Sequence, residues 1–358
     1  MVIPRPVRVE QHLGLGATAG REPDLELLPF GPPEGYWLDT TGPVPRIRAQ
    51  DAAGVAYALT TLGQLPVVGG RLPAVAIEDR PRTPWRGVRL DLTRHRLPVE
   101  TVLALLDDLA ALKLNRLHVR LTGGSSAGTD DYRRIDEHAA ARHIVVVPGI
   151  DAATLPEADV EPVVRELADL TSGPWVHLGG PGGPGGSSVD SGLEAVARTA
   201  VIADRVGKQP IVWHEAGSSP ALPPGTIAQY RGPLTPGAAH AEPLLAITER
   251  DGWMIASPAD VAELGGRAGM TLAETIEWDP AELVPGVGED RLLGIEALLD
   301  PGAGDPLEAV RGTTRARLCA LAELAWSPRG GHDLADFEAR LGDSPQRAQS
   351  GRSAHASR

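Results

Sequence analysis

The residues of this chain that could do chemistry stand at the carboxyl ends of short apolar runs. Asp151 directly follows one such run, and Trp213 lies near the end of another, shortly before Glu215. Carboxylates at such points can transfer protons, and a tryptophan ring presents a large flat apolar face that can stack on a sugar. The run 175–178 (Trp-Val-His-Leu) differs, because residues 179–182 (Gly-Gly-Pro-Gly) follow it and none of them titrates. The chemistry predicted for the chain depends on how that run is interpreted.

Eight short apolar runs alternate with helical segments after residue 85. They lie at 88–93, 116–121, 144–150, 175–178, 210–214, 226–230, 253–256 and 292–298. This alternation predicts an α/β fold, a (β/α)8 TIM barrel of parallel strands with functional residues at the carboxyl ends of the strands. The clearest helix is expected over 98–112, with proline at its start and apolar residues at helical spacing. The connections after strands five and six show little helical pattern, so we expect an irregular barrel there.

A small α+β domain is predicted over residues 1–80, before the barrel. Asp51 is expected to cap a helix over 51–65, whose apolar residues share one face. The sequence Pro-Arg-Thr-Pro at 81–84 interrupts the pattern and marks the domain boundary. We expect the barrel domain over 81–343 and a disordered tail over 344–358, which is polar and lacks periodicity.

The composition excludes several classes of function. The 358 residues carry a net charge of −13, which argues against a nucleic-acid partner. Cys319 is the only cysteine, so no intrachain disulfide is possible. No apolar stretch approaches the roughly 20 residues of a membrane span, so no membrane partner is expected. The first residues lack the apolar segment of a secretory signal, which predicts a cytoplasmic protein. The oligomeric state is left open.

No metal or cofactor is predicted either. The ten histidines are scattered without the spacing of metal ligands. The glycine-rich run 181–188 lacks the Gly-Lys-Ser/Thr of a phosphate-binding loop. His118 and His177 lie within predicted strands, so we expect them to be interior histidines with satisfied hydrogen bonds.

Several motifs, taken in order, resemble glycoside hydrolase family 20, the β-N-acetylhexosaminidases. The segment 74–87 (Ala-Val-Ala-Ile-Glu-Asp-Arg-Pro-Arg-Thr-Pro-Trp-Arg-Gly) is similar to the family's junction between its small domain and its barrel. Further similar segments lie at 90–95, 113–118, 213–215, 229–230 and 321–328. The resemblance extends over roughly residues 35–342.

The resemblance implies a reaction in which the acetamido group of the sugar attacks its own anomeric carbon. In the family, the pattern His-[Ile/Leu]-Gly-Gly leads directly into an Asp that orients the acetamido group and a Glu that protonates the leaving oxygen. The corresponding positions here hold Pro181 and Gly182. Other acidic or histidine positions of the family correspond to Gly123, Gly149 and Leu155.

Four residues remain at positions that the resemblance assigns to substrate binding: Arg94, Asp151, Trp213 and Tyr230, the last of which stands where the family usually has Trp. Arg94 would bind sugar hydroxyls, and Trp213 would form a wall of the acetamido pocket. We expect these four side chains to converge with Glu215 at the carboxyl end of the barrel. The alternative is that Arg94 forms a structural ion pair with a nearby aspartate and that Trp213 is a core residue.

Two functions therefore compete. The first, which we favour, is a hexosaminidase-like protein that is catalytically impaired and at most binds N-acetylhexosamine-type sugars or a protein partner. The second is an active glycosidase that hydrolyses terminal N-acetylhexosaminides with a relocated acid, Glu215 or Asp190. A raised pKa would suit Glu215 to that role.

Overall fold

The described residues form two β-sheets, of which the first belongs to a small N-terminal domain. The structure, a computed structural model, describes residues 2–91, 97–120, 129–182, 188–264, 270–299, 306–312, 314–330 and 332–343. The strands of the first sheet are β1 (Arg8–Thr18), β2 (Asp24–Leu27), β3 (Tyr36–Asp39), β4 (Arg46–Ala49) and β5 (Arg71–Asp79). Their spatial order is β1-β5-β3-β4-β2, and every pair is antiparallel except β2 with β4.

Helix α1 (Ala52–Gln64) covers one face of this sheet. As predicted, Asp51 caps the helix, and its side chain accepts a hydrogen bond from the backbone N–H of Gly54. The sequence pattern did not indicate β1 and β2. Both are edge strands that bury few side chains, so they lack a clear apolar alternation.

The second sheet closes into the predicted barrel of eight parallel strands. These are β6 (Trp85–Asp91), β7 (Arg116–Arg120), β8 (Val145–Gly149), β9 (Trp175–His177), β10 (Gln209–Trp213), β11 (Ile227–Tyr230), β12 (Trp253–Ala256) and β14 (Leu292–Leu299). Pairing of β12 with β14 and of β14 with β6 completes the ring. The short β13 (Glu263–Leu264) adds to β14 outside the ring.

Ten helices follow α1 in the described part of the chain. They are α2 (Val99–Ala111), α3 (Thr129–Ala140), α4 (Glu157–Leu170), α5 (Val189–Arg205), α6 (Ala238–Thr248), α7 (Ala259–Ala262), α8 (Leu272–Glu277), α9 (Pro306–Arg311), α10 (Arg315–Trp326) and α11 (Leu334–Asp343). None of the helices that the structure describes is long and apolar enough to cross a membrane.

We expected irregular connections after the fifth and sixth barrel strands, β10 and β11, but only the connection after β10 lacks an α-helix. Strand β10 is followed by a short 3-10 helix, His214–Ser218. Strand β11 is followed by α6, an 11-residue helix that the sequence pattern did not predict. Pro243 lies inside α6. The apolar residues of α6 are spread around the helix, so they do not recur at clear helical spacing in the sequence.

Alternation along the barrel strands separates two cores. On β6, Val88 and Leu90 point outward into the main core, where they pack with residues of the surrounding helices. Trp85 belongs to a second apolar cluster inside the barrel. Gly87 and Arg89 lie two and four positions after Trp85 on the same strand, so they face the barrel interior as well. The side chains that can reach the carboxyl end of the barrel are therefore those at every second position.

A buried polar cluster joins the small domain to the barrel. Lys113 Nζ donates hydrogen bonds to Asp79 Oδ2 at 2.8 Å and to the hydroxyl of Tyr36 at 2.9 Å. The indole N–H of Trp326 donates to Asp79 Oδ1 at 2.9 Å, and Lys113 Nζ lies 4.3 Å from the centre of the Trp326 ring. Since Lys113, Asp79 and Trp326 lie in segments that resemble the family, those segments hold the two domains together.

Candidate functional site

Inward side chains near the carboxyl ends of the strands line a small cavity. Asp151 and Trp213 both contribute to it, so the structure brings together two of the predicted site residues. The other residues around the cavity come from neighbouring strands and turns: Arg89, His118, Arg120, Gly149, Ile150, His177 and Gly179. The cavity lies at the end of the barrel where parallel-barrel enzymes carry their chemistry.

The glycine pair after β9 has a geometric role beside this cavity. Gly179 has a φ of +79°, and a Cβ there would lie 3.2 Å from the carbonyl oxygen of Ile150. A Cβ on Gly180 would lie 3.0 Å from Cβ of Trp213. Both glycines are thus required by the turn and by close packing. The family-like pattern His-Leu-Gly-Gly is explained here by backbone geometry.

The indole of Trp213 is covered by two guanidinium groups. Arg89 lies over the ring at 5.0 Å from its centre, and Arg231 at 4.6 Å. The residue is only 6% exposed. A sugar could therefore stack on this ring only if one of the arginines moved.

Arg231, which lies over the ring of Trp213, also contacts Glu215. Oε1 of Glu215 accepts a hydrogen bond from Arg231 Nε at 3.1 Å, and Oε2 of Glu215 is 3.2 Å from His214 Nδ1. Burial acts to raise the pKa of Glu215, but His214 and Arg231 outweigh it and lower the pKa to about 2. The carboxylate is therefore ionised at neutral pH, whereas a general acid must carry a proton.

Asp151 shares an arginine with a second aspartate. Arg120 donates to Asp91 Oδ2 at 3.0 Å and to Asp151 Oδ2 at 3.3 Å, so it joins the ends of β6 and β8. The other oxygen of Asp151, Oδ1, is buried and has no hydrogen-bond partner within the described ranges. This oxygen is free to accept a hydrogen bond from a ligand.

Below the cavity, the barrel interior is polar. The rings of His118 and His177 stack with their centres 4.5 Å apart. His118 Nδ1 lies 2.9 Å from Oε1 of Glu296, which also accepts from Gln229 Nε2 at 2.8 Å. The second oxygen of Glu296 accepts from the indole N–H of Trp85 at 3.1 Å. Glu296 is completely buried, and its hydrogen bonds hold the interior of the barrel together.

The sequence reasoning missed the arginines of this site. Arg89, Arg120 and Arg231 all touch predicted site residues, but none of them was predicted to be a site residue. A usable pattern was present in β7, where Arg116, His118 and Arg120 alternate with buried apolar residues. Charged residues at every second position of a barrel strand indicate a polar interior.

Tyr230 does not join the cavity. Its side chain lies in the core between the strands and the outer helices, where its ring contacts those of His214 and His240. Its hydroxyl donates to the carbonyl oxygen of Pro233. Because Gln229 points into the barrel, its neighbour must point out. The expectation that Tyr230 converges with Trp213 is therefore wrong.

The remaining candidates are also separated from the cavity. Asp190 is exposed on the first turn of α5, where it lines a surface groove with other residues of that helix and residues 218–221. Pro181 is buried and its backbone packs against Gly192 of α5, whereas Gly182 is exposed. Arg94 lies outside the described residues.

Comparison with known proteins shows which family the chain is similar to. A model of glycosyl hydrolase family 20 domain 2 matches residues 6–80, and a model of the family 20 catalytic domain matches residues 83–127. The beta-N-acetylhexosaminidase of Cellulomonas fimi is 28% identical over 422 residues, covering 94% of this chain and 83% of that protein. A solved family 20 beta-N-acetylglucosaminidase superposes with a TM-score of 0.85 at 27% identity over 95% of each chain. The chain is therefore β-N-acetylhexosaminidase-like, similar over most of its length to proteins of glycoside hydrolase family 20.

Other family 20 proteins support the same assignment of the fold. A mutant Streptomyces plicatus beta-hexosaminidase, solved in complex with its product GlcNAc, has a TM-score of 0.82 at 25% identity and covers 96% of this chain and 94% of its own. The alignment with the Cellulomonas fimi protein spans 422 residues, more than the 358 of this chain. That family 20 relative therefore contains segments that this protein lacks.

Proposed function

We propose that this family 20 protein binds N-acetylhexosamine-type sugars and has little or no hydrolytic activity. The observation that carries the proposal is the identity of the two residues after His177-Leu178-Gly179-Gly180. Pro181 and Gly182 stand where the resemblance places the orienting Asp and the proton-donating Glu. Neither residue can donate a proton or carry a charge.

The chemistry explains why these positions matter. An aryl or sugar alkoxide leaves readily only when its oxygen receives a proton. The positively charged intermediate formed by the acetamido group needs a nearby anion. Loss of the general acid alone typically costs about 10²–10⁴-fold in rate. Loss of the orienting carboxylate lowers the rate further, although the combined loss is rarely the simple sum of the two single effects.

The nearby carboxylates are poor replacements for the missing acid. Glu215 is held ionised by Arg231 and His214, with a pKa of about 2. Asp151 is paired with Arg120. Asp190 lies on the surface groove of α5 and does not line the cavity. These contacts favour the impaired protein over the active glycosidase with a relocated acid.

Support for a sugar ligand comes from the cavity and from relatives. Asp151 and Trp213 both line the cavity at the carboxyl end of the barrel. The Streptomyces plicatus structure contains GlcNAc, and a Vibrio harveyi structure with the same fold, at 17% identity and a TM-score of 0.83, contains N-acetylglucosamine. An N-acetylhexosamine is therefore the ligand class to test first.

The test measures hydrolysis and binding separately. We expect purified protein to release p-nitrophenol from its N-acetyl-β-glucosaminide at or near the background rate, while calorimetry detects binding of N-acetylglucosamine. Asp151→Asn should weaken that binding, whereas Asp190→Asn serves as the control and should leave it unchanged. Absence of binding at millimolar sugar would contradict the proposed ligand.

A restoration experiment tests the missing acids directly. A Cβ at Gly182 would meet no atom of the described residues within 4 Å, so the backbone leaves room for a side chain to begin there. We expect the double variant Pro181→Asp/Gly182→Glu to recover little activity, because Gly149 and Leu155 also replace polar residues of the family. Substantial turnover by the unmodified protein, abolished by Glu215→Gln or Asp190→Asn, would overturn the proposal in favour of a relocated acid.

A further inference from the structure

Four buried polar atoms around the cavity lack a hydrogen-bond partner among the described residues. They are Nε2 of His118, Nε2 of His177, Oδ1 of Asp151 and Nε of Arg89. The side chains of the two histidines are each only 2% and those of the other two less than 20% exposed. Buried polar atoms are normally paired, so four such atoms around one cavity indicate a ligand. We expected every ring nitrogen of the two histidines to have a hydrogen-bond partner, but only Nδ1 of each ring has one among the described residues.

The hydrogen on the ring of His177 can be placed from its contacts. Its Nδ1 accepts a hydrogen bond from the backbone N–H of Gly179 at 3.0 Å. A nitrogen that accepts carries no hydrogen, so Nε2 carries it and is a donor. Arg89 Nε–H is a second donor at the cavity, because a guanidinium has no acceptor.

His118 has the opposite arrangement. Its Nδ1 faces the carboxylate of Glu296, which already accepts from Gln229 and Trp85. Nδ1 therefore carries the hydrogen, and the free Nε2 of the neutral ring is an acceptor. The Oδ1 atom of Asp151 is the second acceptor.

The environment keeps both rings neutral. Burial lowers the pKa of His118. Burial also lowers the pKa of His177 well below its usual value, and the neighbouring positive charges of Arg89, Arg231 and Arg120 lower it further. At neutral pH the cavity therefore presents two donors and two acceptors.

The size of the cavity decides which ligand fits. Its volume is about 20 Å³, whereas a single water needs at least roughly 10–15 Å³ and two to four polar partners. We propose that the cavity binds one water molecule, which accepts hydrogen bonds from His177 Nε2 and Arg89 Nε and donates to His118 Nε2 and Asp151 Oδ1.

Other small ligands match this set of atoms less well. An anion would face the Asp151 carboxylate and the lone pair of His118. A metal cation would face the guanidinium groups of Arg89 and Arg120. Within the described ranges, no group of three His, Cys, Asp or Glu residues is arranged to hold a metal ion.

The water would complete the hydrogen bonding of the barrel beneath the proposed sugar site. It would link β6, β7, β9 and the turn after β8, and it would hold Asp151 in place from the side opposite Arg120. A sugar ring would then bind above this point and outside the cavity, whose volume is about 20 Å³. The proposal rests on the cavity itself and does not depend on sugar binding.

A crystal structure at about 1.5 Å resolution is the direct test. We expect one spherical density peak at about 2.6–3.2 Å from each of the four atoms. A cavity without density would overturn the proposal. A peak with anomalous scattering after a bromide soak, or one with ligand distances of about 2.1 Å, would also overturn it, in favour of an anion or a metal ion.

A solution experiment tests whether His177 helps to bind the water. Oxygen-17 relaxation dispersion counts the water molecules that exchange slowly from a protein. We expect His177→Phe to hold one slowly exchanging water fewer than the unmodified protein. His138→Phe, which changes a partly exposed histidine on α3, is the matched control and should hold the same number. An unchanged count in folded His177→Phe would contradict the proposal, and if that variant fails to fold, the crystal structure of the unmodified protein decides.

Discussion

At the scale of single residues, the absence of a side chain at Gly149 has a packing role in the barrel interior. The resemblance places a glutamate there, so the glycine suggests a lost functional group. In the structure, a Cβ on Gly149 would lie 2.5 Å from His118 Nε2. The space that a side chain would take is needed by the stacked pair of His118 and His177.

Gly149→Ala should therefore destabilise the protein. Overpacking a tight interior typically costs about 1–3 kcal/mol. Urea unfolding of the variant and of the unmodified protein would measure the change in the free energy of unfolding. Gly182→Ala is the matched control, because its Cβ would meet no described atom within 4 Å, and it should change stability by less than about 1 kcal/mol. Equal stabilities for both variants would contradict the packing argument.

Glu215 should contribute a pH-dependent part of the stability. Its pKa falls from an ordinary value of 4.5 to about 2 in the folded protein, so folding favours the ionised form. The contribution is fully present above about pH 4.5 and is lost as the pH falls towards 2. Because the side chain is one-third exposed, solvent screening reduces it to roughly 1–2 kcal/mol.

The measurement is the free energy of unfolding between pH 2 and pH 6. Glu215→Gln should lose less stability over this range than the unmodified protein. Asp190→Asn, which changes an exposed carboxylate, should follow the unmodified protein closely. If the curves of Glu215→Gln and the unmodified protein ran parallel, the ion pair with Arg231 would not depress the pKa of Glu215.

At the scale of elements, helix α1 depends on a cap that also ties down a loop. One oxygen of Asp51 accepts from the N–H of Gly54 in the first turn, and the other accepts from the N–H of Glu34. Glu34 in turn binds Arg86 of the barrel. A single carboxylate thus starts the helix and fixes the loop that reaches the second domain.

Asp51→Ala should cost about 1 kcal/mol or somewhat more, because both N–H groups lose their acceptor. Asp51→Asn should retain most of the stability, since asparagine is also a good N-cap. Thermal unfolding of the three proteins would separate these outcomes. A loss of equal size in both variants would show that the negative charge matters more than the cap geometry.

At the scale of the whole molecule, the two domains share buried charged groups. Lys113 and Asp79 are both fully buried and form an ion pair at 2.8 Å across the interface. Burial lowers the pKa of Lys113 despite the neighbouring carboxylate. Breaking one partner of such a pair is costly, because the other charge stays buried without compensation.

We expect Lys113→Met to lower the free energy of unfolding by about 3–5 kcal/mol. The double variant Lys113→Met/Asp79→Asn should be less destabilised than the sum of the two single variants, because the lone charge is gone. Chemical unfolding of all four proteins gives this coupling energy. Additive effects would show that the pair does not link the domains energetically.

The sequence was sufficient for the fold because each barrel strand carries a local pattern. All eight apolar runs became barrel strands, and Asp51 caps its helix as predicted. Several elements with weak local patterns were missed, among them the edge strands β1 and β2 and the helix α6, because their side chains share no clear buried face.

The site was only partly accessible from the sequence. The run that ends in Pro181 and Gly182 led, through the resemblance, to the prediction that two titratable groups of the family are missing, and this stays a prediction. Whether Tyr230 or Asp151 faces the cavity depended on the strand register, since a shift of one residue moves a side chain to the opposite face. The low pKa of Glu215 and the unpaired nitrogens of His118 and His177 depend on partners far away in the chain. Only the tertiary structure brings those partners within hydrogen-bonding distance.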